Sequence, residues 1–212
     1  MSLAAFLQLV GPELRHITRA DNLPGIRALG ILRPAKLGEI AEVSPAVFRL
    51  RPASHEVRLD GMLRARLTSQ AQLLAGQGQD FLDDGLTLAD WSDRLDARVF
   101  FWPEGRGEGF RASLGVPTAT IRISSEKLYG LHGPRIDLSP LHTGKATGQP
   151  ARRGDWAFVP AADSEIFPGI RKARGLVQGA DRVVEVSLRA DLTAASLSFV
   201  LAAPLPTGPD PA

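Results

Sequence analysis

The run Arg98-Val99-Phe100-Phe101-Trp102 constrains the fold more than any other stretch of the chain. Its β-branched and aromatic residues suit a pleated, half-buried surface, and Pro103 ends it. Other strand candidates are short. They are 14–18, which alternates around His16, then 118–123 (TATIRI), 156–159, 182–188 (RVVEVSL) and 196–201. The regular strand–helix rhythm of a doubly wound parallel sheet is missing. The expected fold is therefore α+β: a mixed, largely antiparallel sheet with helices clustered in the N-terminal half.

Asp21 is placed to cap a helix in which Leu23, Ile26 and Leu29 recur at helical spacing. Gly30 stops it, and Pro24 is tolerated in its first turn. Prolines 34, 45 and 52 leave 33–57 as a loop with short strands. Residues 60–74 are helical in pattern, with Met62, Leu63, Leu67, Leu73 and Leu74 apolar. Thr87 and Asp90 form a capping-box start for a short helix through Leu95, with Asp in place of the usual Glu or Gln. Residues 130–154 are rich in Gly, Pro, Ser and Thr and read as a long loop, a feature usually functional or mobile in a compact domain. The opening apolar run lacks the basic flank and cleavage site of a signal peptide and reads as a short helix. Residues 1–203 are expected to form one domain, and 204–212 a Pro-rich flexible tail.

Composition narrows the chemistry. A chain of 212 residues with 44 % hydrophobic and 23 % charged residues is ordinary for a globular domain. It has no cysteine, which excludes disulfides, zinc–thiolate sites and thiol catalysis. That composition fits a reducing, cytoplasmic setting. No stretch approaches the roughly 20 apolar residues that cross a bilayer, so no membrane partner is expected. A net charge of +2 is too small to argue nucleic-acid binding by itself. All but four of the 25 basic residues are arginine, which suits bidentate phosphate recognition and GC-rich coding equally. Histidines 16, 55, 132 and 142 show no ligand spacing, and no metal is expected.

Three segments could carry chemistry. His16 and Thr18, two apart on a strand, share a face, and Asn22 follows at the mouth of a helix. These groups could hold a polar, anionic ligand beside the helix N-terminus. Equally, His16 is a packed strand residue, Thr18 a β-former and Asn22 a cap. Phe101 and Trp102 are either core or a stacking surface in a cleft. In 182–188, alternation sets Val184, Val186 and Leu188 on the core face, so Glu185 faces solvent or a cleft.

The order of these segments resembles the DarT-type ADP-ribosyltransferases. In that family a His-x-Thr strand precedes an Asn-Leu and a helix ending in Gly, as in LRHITRADNLPGIRALGIL. Its aromatic strand is similar to ARVFFWPEGRG, and its late Glu-bearing strand to VVEVSLRADLT. Arg15 stands where the family has tyrosine, and the proline of its aromatic strand is absent. The resemblance spans residues 14–200. It implies an ADP-ribosyltransferase-like split sheet and NAD as the substrate. ADP-ribose would pass to a nucleic-acid or protein acceptor, in a toxin or phage-defence effector with an antitoxin as partner. His16, Thr18 and Asn22 would contact NAD, with Phe101 or Trp102 stacking on the nicotinamide. Glu185 would be catalytic. The functional arginine would be Arg64, Arg66 or Arg94, with Arg66 preferred as a helix position near the cleft. A non-catalytic module that binds NAD, ADP-ribose or nucleic acid on the same fold is the alternative.

Overall fold

A computed structural model describes residues 2–75, 81–145, 152–176 and 182–211. Its strands are β1 (Glu13–Arg19), β2 (Gly30–Ile31), β3 (His55–Asp60), β4 (Leu63–Leu67), β5 (Val99–Pro103), β6 (Thr118–Ser124), β7 (Ile136–Ser139), β8 (Val159–Pro160), β9 (Glu185–Leu188) and β10 (Leu192–Thr193). Six of them build one sheet in the order β6-β1-β5-β9-β7-β8, with every pairing antiparallel. The others form two ribbons, β2 with β10 and β3 with β4. Ten α-helices lie among the described residues: α1 (Leu3–Val10), α2 (Leu23–Leu29), α3 (Pro34–Ile40), α4 (Pro45–Phe48), α5 (Ala71–Leu74), α6 (Leu88–Asp96), α7 (Glu108–Leu114), α8 (Ser125–His132), α9 (Phe167–Ala173) and α10 (Ala194–Val200). The chain is thus α+β around a large antiparallel sheet.

Register explains where the core sits. Phe101 faces Val186, which faces Leu138; Val99 faces Leu188, which faces Ile136. All six are buried. On this side α1, α2, α8, α9 and α10 contribute Phe6, Leu23, Leu128, Phe167 and Leu197 to the main core. The alternate positions, Phe100, Glu185, Ser187, Asp137 and Ser139, point the other way. There a second cluster centred on Trp91, Leu95, Phe81 and Phe158 covers them. A third cluster joins Phe48 to Val57, Leu59, Ala65 and Leu67 of the β3–β4 ribbon.

β1 pairs with β6 over its whole length but with β5 only at Leu14–Pro103 and Arg15–Trp102. Beyond Arg15 the two strands part, and the sheet forks there.

Several elements differ from expectation, each for a local reason. Residues 60–74 are not one helix: only Ala71–Leu74 are helical, as α5, and the rest is a turn, β4 and a short link. Asp60-Gly61 is a hairpin turn signal, and Leu63, Ala65 and Leu67 alternate as β4 requires. Met62, counted among the apolar helix positions, sits at the turn and is 95 % exposed. Pro34 and Pro45 do not break 33–57; each starts a helix at a position where its missing N–H costs nothing. Residues 196–200 belong to α10, whose Leu197 and Val200 are buried at helical spacing and whose cap is Thr193; only Leu201 bridges a strand, at Ile123. Strand β7 lies inside the expected long loop. Residues 155–157 form a 3₁₀ turn ahead of the two-residue β8.

The helices are not clustered early, because α8, α9 and α10 are needed to cover the main core in the second half of the chain. The tail is not free either. Asp210 bonds Thr120, Thr118 and Arg111, and Arg27 donates to the Pro206 carbonyl. Elsewhere the expectations hold: the 14–18, 98–102 and 118–123 strands, the 185–188 part of the 182–188 strand, the helix stopped at Gly30, and the Thr87–Asp90 capping box. No helix among the described residues is long and apolar enough to cross a membrane.

Candidate functional site

His16 lies on β1 at the fork. The carbonyl of Phe100 receives its Nδ1–H at 2.9 Å. A carbonyl can only accept, so this bond fixes the tautomer and leaves Nε2 as the lone-pair nitrogen. Nε2 has no partner among the described residues. Burial pushes the His16 pKa below the ordinary histidine value, and the Phe100 bond opposes only part of that shift. The ring is therefore neutral at pH 7, and Phe101 meets it edge-on at 5.8 Å.

Thr18, one pleat further, is buried, and its Oγ1 accepts from Asn22 Nδ2 at 3.1 Å. Asn22 also clasps β4: its Oδ1 accepts from the Arg66 N–H at 2.7 Å, and its Nδ2 donates to the Arg66 carbonyl at 3.1 Å. The side chain of Asn22 thus supplies the pairing that a neighbouring strand would give. Arg66 is a strand residue, not a helical one. Its half-exposed guanidinium sits between Asp21 at 3.4 Å and Glu56 at 2.8 Å. His16, Thr18, Asn22 and Arg66 are consequently brought to one region, where β1 leaves the fork and the ribbon docks.

The aromatic candidates are placed otherwise. Phe101 is wholly inside the main core and offers no face to a ligand. Trp102 is buried as well, stacked on Phe110 with ring centroids 4.5 Å apart. Neither is open for stacking on a nicotinamide, because the strand carrying them is covered on both sides. Arg64 pairs with Glu56 at 3.0 Å, and Arg94 pairs with Asp155 at the far end of α6.

Glu185 is on β9, so β5 runs between it and His16. Two strand steps separate them, and His16 meets Phe101 on one face of the sheet while Glu185 points to the other. It does not face open solvent: it is 5 % exposed and fully engaged. Oε1 receives the His142 Nδ1 at 3.0 Å. Oε2 receives the Thr143 N–H at 3.0 Å and its hydroxyl at 2.8 Å. The carbonyl of Thr143 in turn accepts from Trp91 Nε1 at 3.0 Å. Arg153, fully buried nearby, is pushed down to about 10 by desolvation, with the charge of Glu185 opposing. On the same side of the sheet Asp137 lies 3.0 Å from Arg189 and 3.4 Å from Arg98. Burial raises its pKa, and those two arginines oppose the rise.

β9 begins only at Glu185, so the alternation expected upstream does not hold. Val183 is in the core, and Val184 is half-buried. His142, Thr143 and Arg153 were not singled out as site residues. The one sequence signal for His142 and Thr143 is their place inside the polar 130–154 stretch.

A cavity of about 320 Å³ is lined by Asp83, Asp84, Asp155, Trp156 and Arg174, and none of the expected site residues borders it. No three His, Asp or Glu side chains among the described residues are grouped to hold a metal.

No curated protein matches the chain. The model of a family of unknown function, DUF7002, matches residues 12–198, nearly its whole length. The chain belongs to the DUF7002 family.

Proposed function

We propose that this chain is an ADP-ribosyltransferase-like enzyme that binds NAD at the fork between β1 and β5 and passes ADP-ribose to a nucleic-acid or protein acceptor. The observation that carries this reading is His16. It is a neutral imidazole locked by Phe100, with a lone-pair nitrogen free at the point where two strands separate. Such a nitrogen can accept from a ribose hydroxyl or from the carboxamide of nicotinamide. Thr18, Asn22 and Arg66 adjoin it, and a phosphate would take the Arg66 guanidinium in exchange for its ion pairs with Asp21 and Glu56. Bound NAD would supply an activated bond between ribose C1′ and nicotinamide. Charge builds on the ribose as that bond breaks, as in glycoside cleavage. Glu185 is the carboxylate this reading assigns to that charge, and its side chain would have to act from the face of the sheet opposite the one on which His16 meets Phe101.

A second reading is favoured by one observation. Both oxygens of Glu185 are already bonded within the protein. A carboxylate so occupied suits a binding module that holds NAD or ADP-ribose without transferring it.

Calorimetry with NAD, paired with release of free nicotinamide, tests both. The parent chain is expected to bind NAD. His16→Ala should weaken that binding about fivefold, the equivalent of one hydrogen bond of about 1 kcal/mol, with the far-UV spectrum unchanged. Nicotinamide release selects the enzyme, and binding without release selects the module. A parent chain that does not bind NAD overturns both.

A further inference from the structure

The cavity at the end of α9 lies apart from the fork residues, none of which lines it. Three short segments build it: the turn 83–86, residues 154–156 around the 3₁₀ turn, and Arg174 just past α9. Two backbone bonds of 2.7 Å join the first two segments, from the Asp83 N–H to the Arg153 carbonyl and from the Arg153 N–H to the Phe81 carbonyl. Gly154 lets Asp83 come close, because a Cβ there would stand 2.0 Å from Asp83 Oδ2. The space is about 320 Å³, at the small end of ligand pockets.

Its described lining is aromatic and acidic. Half-buried Trp156 and Leu86 give apolar surface, and the carboxylates of Asp83, Asp84 and Asp155 stand against one guanidinium, that of Arg174. Arg152 and Arg94 pair with Asp84 and Asp155 but do not line the cavity. Asp84 and Asp155 are 95 % and 87 % exposed at the side chain, so water screens both pairs and a change of partner costs little. An entering anion meets three carboxylates. Those carboxylates are not grouped to hold a metal ion. An aromatic wall with carboxylates around it suits an organic cation.

Arg174 shows which cation fits. Its Cζ lies 4.9 Å from the centre of the Trp156 ring. Its Nη1 and Nη2 donate to the two oxygens of Asp83 at 3.2 and 3.3 Å. A guanidinium is thus stacked on the ring and held by a paired contact that an ammonium group cannot make. The contact is long and its arginine is 38 % exposed at the side chain, so Arg174 is held weakly.

We propose that this cavity binds a guanidinium group, of a free guanidino compound or of an arginine on another protein. Trp156 and Asp83 recognise it, and Arg174 is an internal occupant that the ligand displaces. The proposal stands independently of the NAD reading.

Calorimetry on the full chain tests it with two probes, agmatine and the peptide Gly-Gly-Arg-Gly-Gly, at up to millimolar concentration. The peptide with lysine in place of arginine is the control and should bind several-fold more weakly. Arg174→Ala removes the competitor and should tighten binding about fivefold, the weight of one exposed ion pair. A damaged fold would not tighten binding. Trp156→Leu should weaken binding about fivefold, and Trp156→Phe should restore part of it. In the parent chain the probe should also change tryptophan fluorescence, since Trp91 and Trp102 are buried in the core and Trp156 is the ring within reach. Agmatine binding as tightly as the peptide identifies a free guanidino compound, and a tighter peptide identifies a protein segment; either supports the site. Three results overturn it: neither probe binding parent or Arg174→Ala, the lysine peptide binding as tightly as the arginine one, or Arg174→Ala binding no tighter than the parent.

Discussion

His16 joins the candidate site to the stability of the whole domain through its proton. Its folded pKa is pushed below the unfolded value of about 6.5. The unfolded chain therefore takes up a proton that the folded chain refuses. The contribution is full above about pH 6.5 and is lost progressively as pH falls through that value toward the folded pKa. His132, also pushed down by burial and by Arg135, works in the same direction. Urea unfolding from pH 8 to pH 5 should show stability falling below pH 6.5, and His16→Gln should flatten that slope while His132 keeps a remainder. Equal slopes in parent and variant would mean the ring titrates freely. Residue type was legible in the sequence for His16, Thr18, Asn22 and Glu185. What each side chain does was not. The sequence suits Asn22 to a ligand contact or a helix cap, yet its amide bonds the backbone of Arg66, 44 residues away. Alternation points Glu185 to solvent or a cleft because a strand's second face is exposed by default, whereas a second layer covers β9 here.

At the scale of elements, the β3–β4 ribbon shows a local cost. Arg58 and Arg64 face each other directly across it, and both are exposed. Arg64 finds Glu56, while Arg58 has no partner among the described residues. Like charges in this position destabilise a strand pair. Arg58→Glu converts the repulsion to an attraction and should stabilise the protein by about 0.2–1 kcal/mol, read as a rise in thermal midpoint. An unchanged or lower midpoint would mean solvent already screens the pair. The ribbon also shows why pattern reading failed there. Met62, Leu63 and Leu67 fit a helical stripe, and Leu63, Ala65 and Leu67 fit a strand equally well. Only the Asp60-Gly61 turn separates the two readings. The Thr87 helix had no such ambiguity, because its cap depends on two side chains three residues apart and on nothing distant. Gly107 marks the opposite extreme. Its φ of +91° and Ile17 Cδ1, 2.6 Å from where a Cβ would stand, together require glycine, and the second reason is visible only in the tertiary structure.

At the scale of the molecule, the six-stranded sheet has two edges to protect. β8 is only two residues long and exposes little backbone. β6 is seven residues long, and its free edge is an invitation to pair with another chain. The tail read as a flexible Pro-rich extension lies along that edge. Leu201 bridges Ile123, and the Ala202 N–H donates to the Arg122 carbonyl at 2.9 Å. Asp210 donates its N–H to Thr118, accepts from the N–H and hydroxyl of Thr120, and pairs with Arg111 at 2.7 Å. The prolines cannot donate to a further strand, so the tail covers the edge without presenting a new one. Composition alone could not separate this strap from a frayed end, since its order comes from Asp210 meeting β6 and α7, Arg27 reaching the Pro206 carbonyl and Leu205 packing on the core. Truncation after Ala203 removes that aspartate and uncovers the outer half of β6. At about 1 kcal/mol per lost hydrogen bond, the loss should be roughly 2–4 kcal/mol. The truncated chain should also self-associate, seen as concentration-dependent growth in light scattering. Asp210→Asn keeps the backbone covered and weakens only the charged contacts, so it should lose part of the stability and remain the size of the parent. A truncated chain that melts with the parent and scatters like it would show that the edge of β6 is protected by its twist and neighbours, and that the tail merely rests on it.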